Sequence, residues 1–248
     1  MDILRYSSNN TINYGREMNF LRTGRFPTSF GQYFNTVAFP SLFLPSTPLD
    51  LRLKLLIRKH IELYAFSNAE YFQKDENHDF KPELIVDKVF TRRKGMCMEL
   101  NFAFGILLDN LGYDVRFVKC FKPHHDSYFT IFHLGIIVGI KEEGDEYFVD
   151  VGFGEYFREP IPMDHNRVTD GVRIEKVGDS FDVWDNKKNS LIFRIKSDPV
   201  NVETIQENIA LFYKSGPADF PLCKGLYQRI YDAKTESFIE FSNLKAKL

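Results

Sequence analysis

A cysteine that follows a run of cations and begins a predicted helix is the strongest candidate nucleophile in the sequence. Cys97 follows Arg92-Arg93-Lys94-Gly95, and apolar residues at helical spacing continue from there to Gly112, a predicted C-cap. The cations and the positive end of the helix dipole both favour a thiolate, which is the nucleophile that acyl transfer requires. Cys120 and Cys223 have no comparable setting, and we interpret both as structural.

Two polar residues inside apolar strand patterns supply a candidate base and a group to orient it. His133 lies in TIFHLGIIV and Asp150 in EYFVDVGFG, and a carboxylate there would hold the imidazole in one tautomer. On its own, His133 fits a hydrogen-bonded core histidine better than a catalytic base. With KEEGDE as the turn and Ile140 paired with Tyr147, the two residues are offset by about four positions, roughly 13 Å. Contact would then need a bulge, a bend or another register.

The other histidines do not form a recognisable metal site. His124 and His125 are adjacent in a loop that contains proline, and no cysteine or carboxylate cluster completes a ligand set. His60 lies on a predicted helix and His78 and His165 in polar loops, where we expect solvated or capping roles. The sequence therefore predicts no bound metal.

Hydrophobic periodicity changes from helical to strand-like along the chain. Helices are predicted near residues 48–64, 81–90 and from Cys97 to about 111, with a short one near 30–36 in a polar opening segment. Strands follow in YDVRFVKCF, YFTIFHLGIIVGI, EYFVDVGF, SFDVWD and SLIFRIK. The last segment contains a predicted helix at 202–212 and short strands at 226–231 and 238–241.

Charge and composition exclude several classes of function. The 32 basic and 34 acidic residues give a net charge of −2, which offers no field for binding nucleic acid or an anionic membrane. The first twenty residues contain no apolar stretch of signal-peptide length. Three widely spaced cysteines without a CxxC pair favour a reducing compartment. We expect a cytoplasmic protein.

Several blocks of the sequence resemble arylamine N-acetyltransferases, in the order found in that family. RRKGMCMELN resembles the signature RGGxCxExN, and FHLGIIV and FVDVGFG are similar to the His-containing strand and the DxGFG segment. HIELYAFSN resembles the H-x-PFEN block, LLDNLGYDVRFV the connection that follows the nucleophile, and NIALFYKSGPADF the lid segment. The resemblance extends from about residue 30 to the C-terminus.

This resemblance implies an α+β fold with a cysteine-protease/transglutaminase-like core. It implies an extension and N-terminal helical bundle at 1–112, a central β-barrel at 113–198 and a C-terminal α/β lid at 199–248. Its implied reaction is acetyl transfer from acetyl-CoA to an arylamine or hydrazine, without a metal, by a ping-pong mechanism through a thioester. Cys97 would be the acetyl acceptor, His133 the base and Asp150 its orienting group.

The resemblance also suggests residues that bind substrate or CoA. Phe153 would line the arylamine pocket, and Gly152 and Gly154 would let the backbone approach the acyl donor closely. Lys94 is a candidate for attracting the CoA phosphates, and Ser215 lies in the segment that resembles the lid.

Two departures from the family pattern concern charged groups. Lys94 replaces the first glycine after the arginine of RGGxCxExN, and Ser67 replaces the glutamate of the PFEN block. A buried Arg93 would therefore need another acceptor, for which Glu99 and Glu70 are the candidates.

Other functions remain open at this point. The same Cys-His-Asp triad would serve a thiol hydrolase or a transglutaminase-like enzyme acting on peptides, and another acyl-CoA could replace acetyl-CoA. A binding protein without catalytic activity on the same fold would require a lost triad, and no triad residue is lost.

Overall fold

A computed structural model describes residues 47–73, 79–122, 131–140, 144–164 and 167–243. The helix predicted near residues 30–36 lies outside these ranges. So do His78, the His124-His125 pair and His165.

Helices form where the apolar spacing predicts them. In the described residues they are α1 (Leu49–Leu63), α2 (Pro82–Arg92), α3 (Cys97–Asn110) and α4 (Val202–Lys214), with short 3-10 turns at Ala69–Gln73 and Pro221–Cys223. Pro82 occupies the first turn of α2, where its missing N–H costs nothing. Gly112 has a φ of +91° just after α3, and its N–H donates to the Asp109 carbonyl, as the predicted C-cap requires.

The strands form two sheets. In chain order they are β1 (Ala65–Ser67), β2 (Lys94–Gly95), β3 (Asp114–Phe121), β4 (His133–Ile140), β5 (Asp145–Val149), β6 (Ile161–Pro162), β7 (Val172–Val177), β8 (Ser180–Asp185), β9 (Ser190–Pro199), β10 (Tyr227–Asp232) and β11 (Ser237–Ser242). Seven of them form one sheet in the order β6-β5-β4-β3-β9-β8-β7, and its edge strands β6 and β7 contact each other. The result is a nearly closed barrel, which confirms the predicted α+β class.

Several of the barrel strands differ from the sequence prediction, and β6 lies outside the predicted strands. β4 begins at His133, several residues later than predicted, and β5 ends at Val149, before Asp150. β7 lies outside the predicted strands, although Val172 and Ile174 alternate with charged residues and are fully buried. The early end of β5 matters most for the position of Asp150, because this residue then lies outside the paired part of β4 and β5.

The C-terminal segment packs onto the region that precedes the candidate nucleophile. Strands β10 and β11 extend a four-stranded sheet in the order β11-β10-β1-β2, in which β1 is antiparallel to β10 and parallel to β2. Helix α4 contacts α3, and Tyr213 donates a hydrogen bond to Glu99 at 3.1 Å. The three-part division at residues 112 and 198 stays a prediction.

Helix α3 is the centre of the core. Every residue from Met98 to Leu108 is buried, and the helix contacts α2, α4, β3 and β4. A helix that is apolar on all sides is stable only when other elements enclose it. No helix in the described ranges is long and apolar enough to span a membrane.

Gly105 sets how closely α3 approaches β3. A Cβ at this position would lie 2.4 and 2.5 Å from ring atoms of Phe117. We expect Gly105→Ala to lower the free energy of unfolding by about 1–3 kcal/mol through overpacking, although alanine favours the helix by about 1 kcal/mol. Urea unfolding measures the effect.

The matched control is Phe117→Leu, alone and combined with Gly105→Ala. If the contact with Phe117 is the cause, the double variant loses less stability than the sum of the two single losses. Strict additivity, or a Gly105→Ala protein as stable as the wild type, would contradict this account of the packing.

Candidate active site

Cys97 is the first residue of α3 and follows directly from β2 and Met96. The Met96 N–H donates to the Glu99 side chain at 2.9 Å, which holds the first turn of the helix in place. Cys97 is half-buried and carries a free thiol. The predicted position of this cysteine at a helix N-terminus is therefore confirmed.

His133 and Asp150 are in direct contact. His133 Nε2 and Asp150 Oδ2 lie 2.5 Å apart, with 12% and 0% of the two side chains exposed. Nε2 is therefore occupied by the carboxylate, which leaves Nδ1 as the ring nitrogen available to Cys97. The structure brings together the base and the orienting group that the sequence proposed.

The hairpin register predicted from the sequence is wrong by two residues. Ile140 pairs with Asp145 rather than Tyr147, so the connection is shorter than assumed, and Gly144 accommodates it with a φ of +70°. This register reduces the offset between His133 and Asp150. The chain also bends after β5, and the bend carries the Asp150 side chain to the imidazole.

His133 also interacts with Cys97, both through a hydrogen bond and through charge. Burial alone would lower the pKa of His133, but the charges of Asp150 and Cys97, and their hydrogen bonds to the ring, raise it to about 10. At neutral pH the ring therefore holds a proton.

The Asp150 carboxylate accepts hydrogen bonds at both oxygens. Its Oδ1 accepts from Asn101 Nδ2 at 2.8 Å and from the Gly152 and Phe153 N–H groups at 2.9 Å each. These donors stabilise a buried negative charge. Asn101 is not among the site residues predicted from the sequence, although a polar residue one turn after Cys97 in an otherwise apolar helix was a usable signal.

Gly152 lies directly against the candidate nucleophile. A Cβ there would lie 2.5 Å from the Cys97 carbonyl oxygen and 2.7 Å from its Cα. The sequence suggested a glycine that lets the acyl donor approach; the group that approaches in the structure is the Cys97 backbone. Gly154 has a φ of +81°, and its Cβ would lie 2.8 Å from Arg229 Cδ.

Aromatic rings cover one side of His133. The ring centroids of Phe153 and Phe193 lie 5.6 and 5.8 Å from that of His133, and 5.7 Å from each other. The Lys122 ammonium lies 5.3 Å from the Phe153 ring centroid. The sequence pointed to Phe153 but not to Phe193, because Phe193 lies in a distant strand.

Lys94 and Ser215, the two other candidates, are not part of this cluster. Lys94 is half-buried in β2 and pairs with Ala65, and its side chain makes no hydrogen bond or ion pair within the described ranges. Ser215 follows α4, where its hydroxyl donates to the Leu211 carbonyl at 2.8 Å and its own carbonyl accepts from Tyr71 at 2.6 Å. Among the residues that the structure describes, no contact joins Ser215 to the triad.

The buried carboxylates near α2 have partners other than Arg93. Arg93 is exposed, so it does not need Glu99 or Glu70 as the acceptor that a buried Arg93 would require. Glu70 instead binds Lys88 at 3.2 Å and Arg92 at 2.6 Å. Lys88 also binds Glu99. This ion cluster ties α2 to the start of α3.

His60 is a further correction. It is fully buried rather than solvated or capping, with its ring centroid 4.2 Å from that of Tyr64 and 4.6 Å from that of Phe104. Helical periodicity places it on the buried face of α1, one turn after Leu56. Burial lowers its pKa to about 3, so it stays neutral.

Cys120 and Cys223 are buried and form no disulfide, and burial raises the pKa of Cys120. Within the described ranges, no cluster of three or more His, Cys, Asp or Glu residues could hold a metal ion.

Known proteins are similar to this chain in sequence and in fold. Residues 50–200 match a sequence profile for a family described as N-acetyltransferase. The chain is 37% identical over 194 residues to an uncharacterized acetyltransferase, R151, of Acanthamoeba polyphaga mimivirus, covering 75% of this chain and 91% of that protein. It is 35% identical over 113 residues to the pineal gland arylamine N-acetyltransferase isozyme of Gallus gallus, covering 44% of this chain and 38% of that one.

Among solved structures, the Mycobacterium marinum arylamine N-acetyltransferase in complex with CoA has a TM-score of 0.72 at 19% identity. The match covers 88% of this chain and 80% of that one. At this identity the likeness shows a shared fold.

Gly152→Ala tests the close approach to Cys97. The added Cβ meets backbone atoms, which cannot rotate away, so Cys97 must shift relative to His133. We expect alkylation of Cys97 by iodoacetamide to slow by roughly 10- to 100-fold. Gly139→Ala is the control, since its Cβ would lie 3.3 Å from the side chain of Asp114. Equal rates for the two variants would contradict the role assigned to Gly152.

Proposed function

The chain belongs to the arylamine N-acetyltransferase family and is an acyltransferase, and we propose that it acetylates arylamines or arylhydrazines through an acetyl-cysteine at Cys97. The observation that carries this proposal is the 2.5 Å contact of His133 Nε2 with Asp150 Oδ2, in a ring whose pKa Cys97 also raises. The solved relative that binds CoA supports acetyl-CoA as the donor.

The first half-reaction moves the acetyl group to the enzyme. The Cys97 thiolate attacks the thioester carbonyl of acetyl-CoA, and N–H groups at the start of α3 stabilise the oxyanion of the tetrahedral intermediate. As the carbon-sulfur bond to CoA breaks, the His133 imidazolium gives its proton to the leaving thiolate. Cys97 is left acetylated, His133 is neutral, and CoA is released as a thiol.

The second half-reaction moves the acetyl group to the amine. Neutral His133 takes a proton from the amine as its nitrogen attacks the acetyl carbonyl, and the Cys97 thiolate then leaves. Asp150 stabilises the imidazolium that forms again. Phe153 lines the acceptor site in this proposal, because its ring lies next to His133 and an aromatic amine can pack against it.

The proposal also assigns contacts with the substrates to Lys94, Gly154 and Ser215. Lys94 lies three residues before Cys97 and supplies a cation for the phosphates of CoA. Gly154 shapes the turn after Phe153, and Ser215 belongs to the segment that closes over the substrates. The three free thiols suit a reducing compartment such as the cytoplasm.

Intact-protein mass spectrometry tests the covalent step. Incubation with acetyl-CoA alone should add one acetyl group, located on Cys97 by peptide mapping and absent in Cys97→Ser. Cys120→Ser is the control and should still be acetylated, because that buried thiol lies outside the triad. An arylamine such as 4-aminobenzoate should then remove the label and appear as its N-acetyl product.

Three outcomes would contradict the proposal. An adduct on Cys120 or Cys223, or none at all, would remove Cys97 from its role. Loss of the acetyl group to water at the same rate with and without the amine would favour a thiol hydrolase. Labelling by another acyl-CoA but not by acetyl-CoA would change the donor.

A further inference from the structure

The side chain of Asn101 is fully hydrogen-bonded at the point where three parts of the site meet. Its Nδ2 donates to the Leu134 carbonyl at 2.6 Å and to Asp150 Oδ1 at 2.8 Å. Its Oδ1 accepts from the N–H groups of Val151 at 2.7 Å and Gly152 at 3.1 Å. An asparagine amide has two donor and two acceptor positions, and all four are used.

These partners also fix the orientation of the amide. Two of them are oxygens that only accept, and two are backbone N–H groups that only donate. Rotating the amide by 180° would place Nδ2 against the two backbone N–H groups and Oδ1 against the two acceptor oxygens. Asn101 is also fully buried, so water cannot replace a lost partner.

One consequence concerns the Asp150 carboxylate. Asn101 and two backbone N–H groups hold Oδ1, which leaves Oδ2 to face His133 Nε2. Without the Asn101 donor, the carboxylate loses one of its three bonds at Oδ1 and gains freedom to turn away from the ring. The Asp150 carboxylate, whose charge raises the pKa of His133, would then be less well placed against the ring.

A second consequence concerns Cys97. Asn101 lies one helical turn after Cys97 in α3, and its oxygen holds the Val151-Gly152 backbone. Gly152 in turn packs against Cys97 Cα and carbonyl oxygen. The same amide therefore connects the helix that carries the nucleophile, the strand that begins with His133, and the turn that carries Asp150.

We propose that Asn101 is a positioning residue for the reaction, which sets the placement of Asp150 and Cys97 about His133. This inference rests on the roles of the three triad residues in the proposed function. It assigns Asn101 no contact with substrate, and its effect passes through the thiolate-imidazolium pair.

A purely structural role would also make Asn101 variants less stable, so stability alone is not a sufficient test. Asn68 provides the matched control. It is fully buried and donates to the carbonyls of Leu222 at 2.7 Å and Gly225 at 2.8 Å. It accepts from the Tyr227 N–H at 2.7 Å. Its network is comparable, and the partners named here are all backbone groups outside the triad.

The experiment measures the rate at which iodoacetamide alkylates Cys97 as a function of pH. The proteins are the wild type, Asn101→Ala, Asn101→Asp and Asn68→Ala, and urea unfolding records the stability of each. Asn101→Asp preserves shape and still accepts from Val151 and Gly152, but it places a second carboxylate against Asp150. It serves as the second variant if Asn101→Ala fails to fold.

We expect both Asn101 variants to slow alkylation at neutral pH by roughly 10- to 100-fold, because the reacting groups lose their alignment. In Asn101→Ala the pH of half-maximal rate should rise by about one unit, because the pair loses stabilisation of its charged form. Asn68→Ala should keep the wild-type pH profile despite a similar loss of stability.

Profiles of the Asn101 variants that match those of the wild type or of Asn68→Ala would overturn the proposal. Alkylation needs no acyl donor, so the result does not depend on which acyl group the enzyme transfers. If the wild type does not transfer acetyl but the Asn101 variants change the alkylation profile, the proposed function fails and the role of Asn101 stands. If the wild type transfers acetyl but the Asn101 variants leave the profile unchanged, the role of Asn101 fails alone.

Discussion

The site depends on one buried carboxylate. The Asp150 side chain has no exposed surface, and removing an ionised carboxylate from water costs several kcal/mol unless donors and a cation compensate for it. Here the compensation comes from the Asn101 amide, two backbone N–H groups and His133. Since these donors lie on α3, β4 and the turn after β5, the carboxylate is stable only where those three parts meet.

The fold meets that requirement through close backbone approaches. Gly105 lets α3 lie against β3, and Gly152 lets the turn after β5 touch Cys97. The end of β5 at Val149 frees Asp150 from the ladder, so its side chain can accept hydrogen bonds from its own turn. Strand β2, held by β1 and the C-terminal hairpin, fixes where α3 begins. Barrel and helices are therefore both needed to align the thiol with the imidazole.

Features that depend on residues close in sequence could be predicted better than features that depend on contacts between distant segments. Helical spacing located the four helices of the described ranges and the position of Cys97, and isolated polar residues in apolar runs marked His133 and Asp150. The register of β4 and β5 could not be predicted, because it depends on a short turn whose length the hydrophobic alternation does not define. The buried position of His60 follows from helical periodicity, since it lies one turn after Leu56. The role of Asn101 depends on which distant elements enclose α3, and periodicity alone does not reveal this.

The ionisation state of His133 tests most directly whether the buried carboxylate governs the site. Nitrogen NMR of the labelled imidazole, recorded across pH in the wild type and in Asp150→Asn, reports it without any substrate. We predict that the wild-type ring is an imidazolium at pH 7 that loses its proton only near pH 10, in line with its raised pKa. In Asp150→Asn it should be neutral at pH 7. A neutral ring in the wild type, or the same titration in both proteins, would contradict the account.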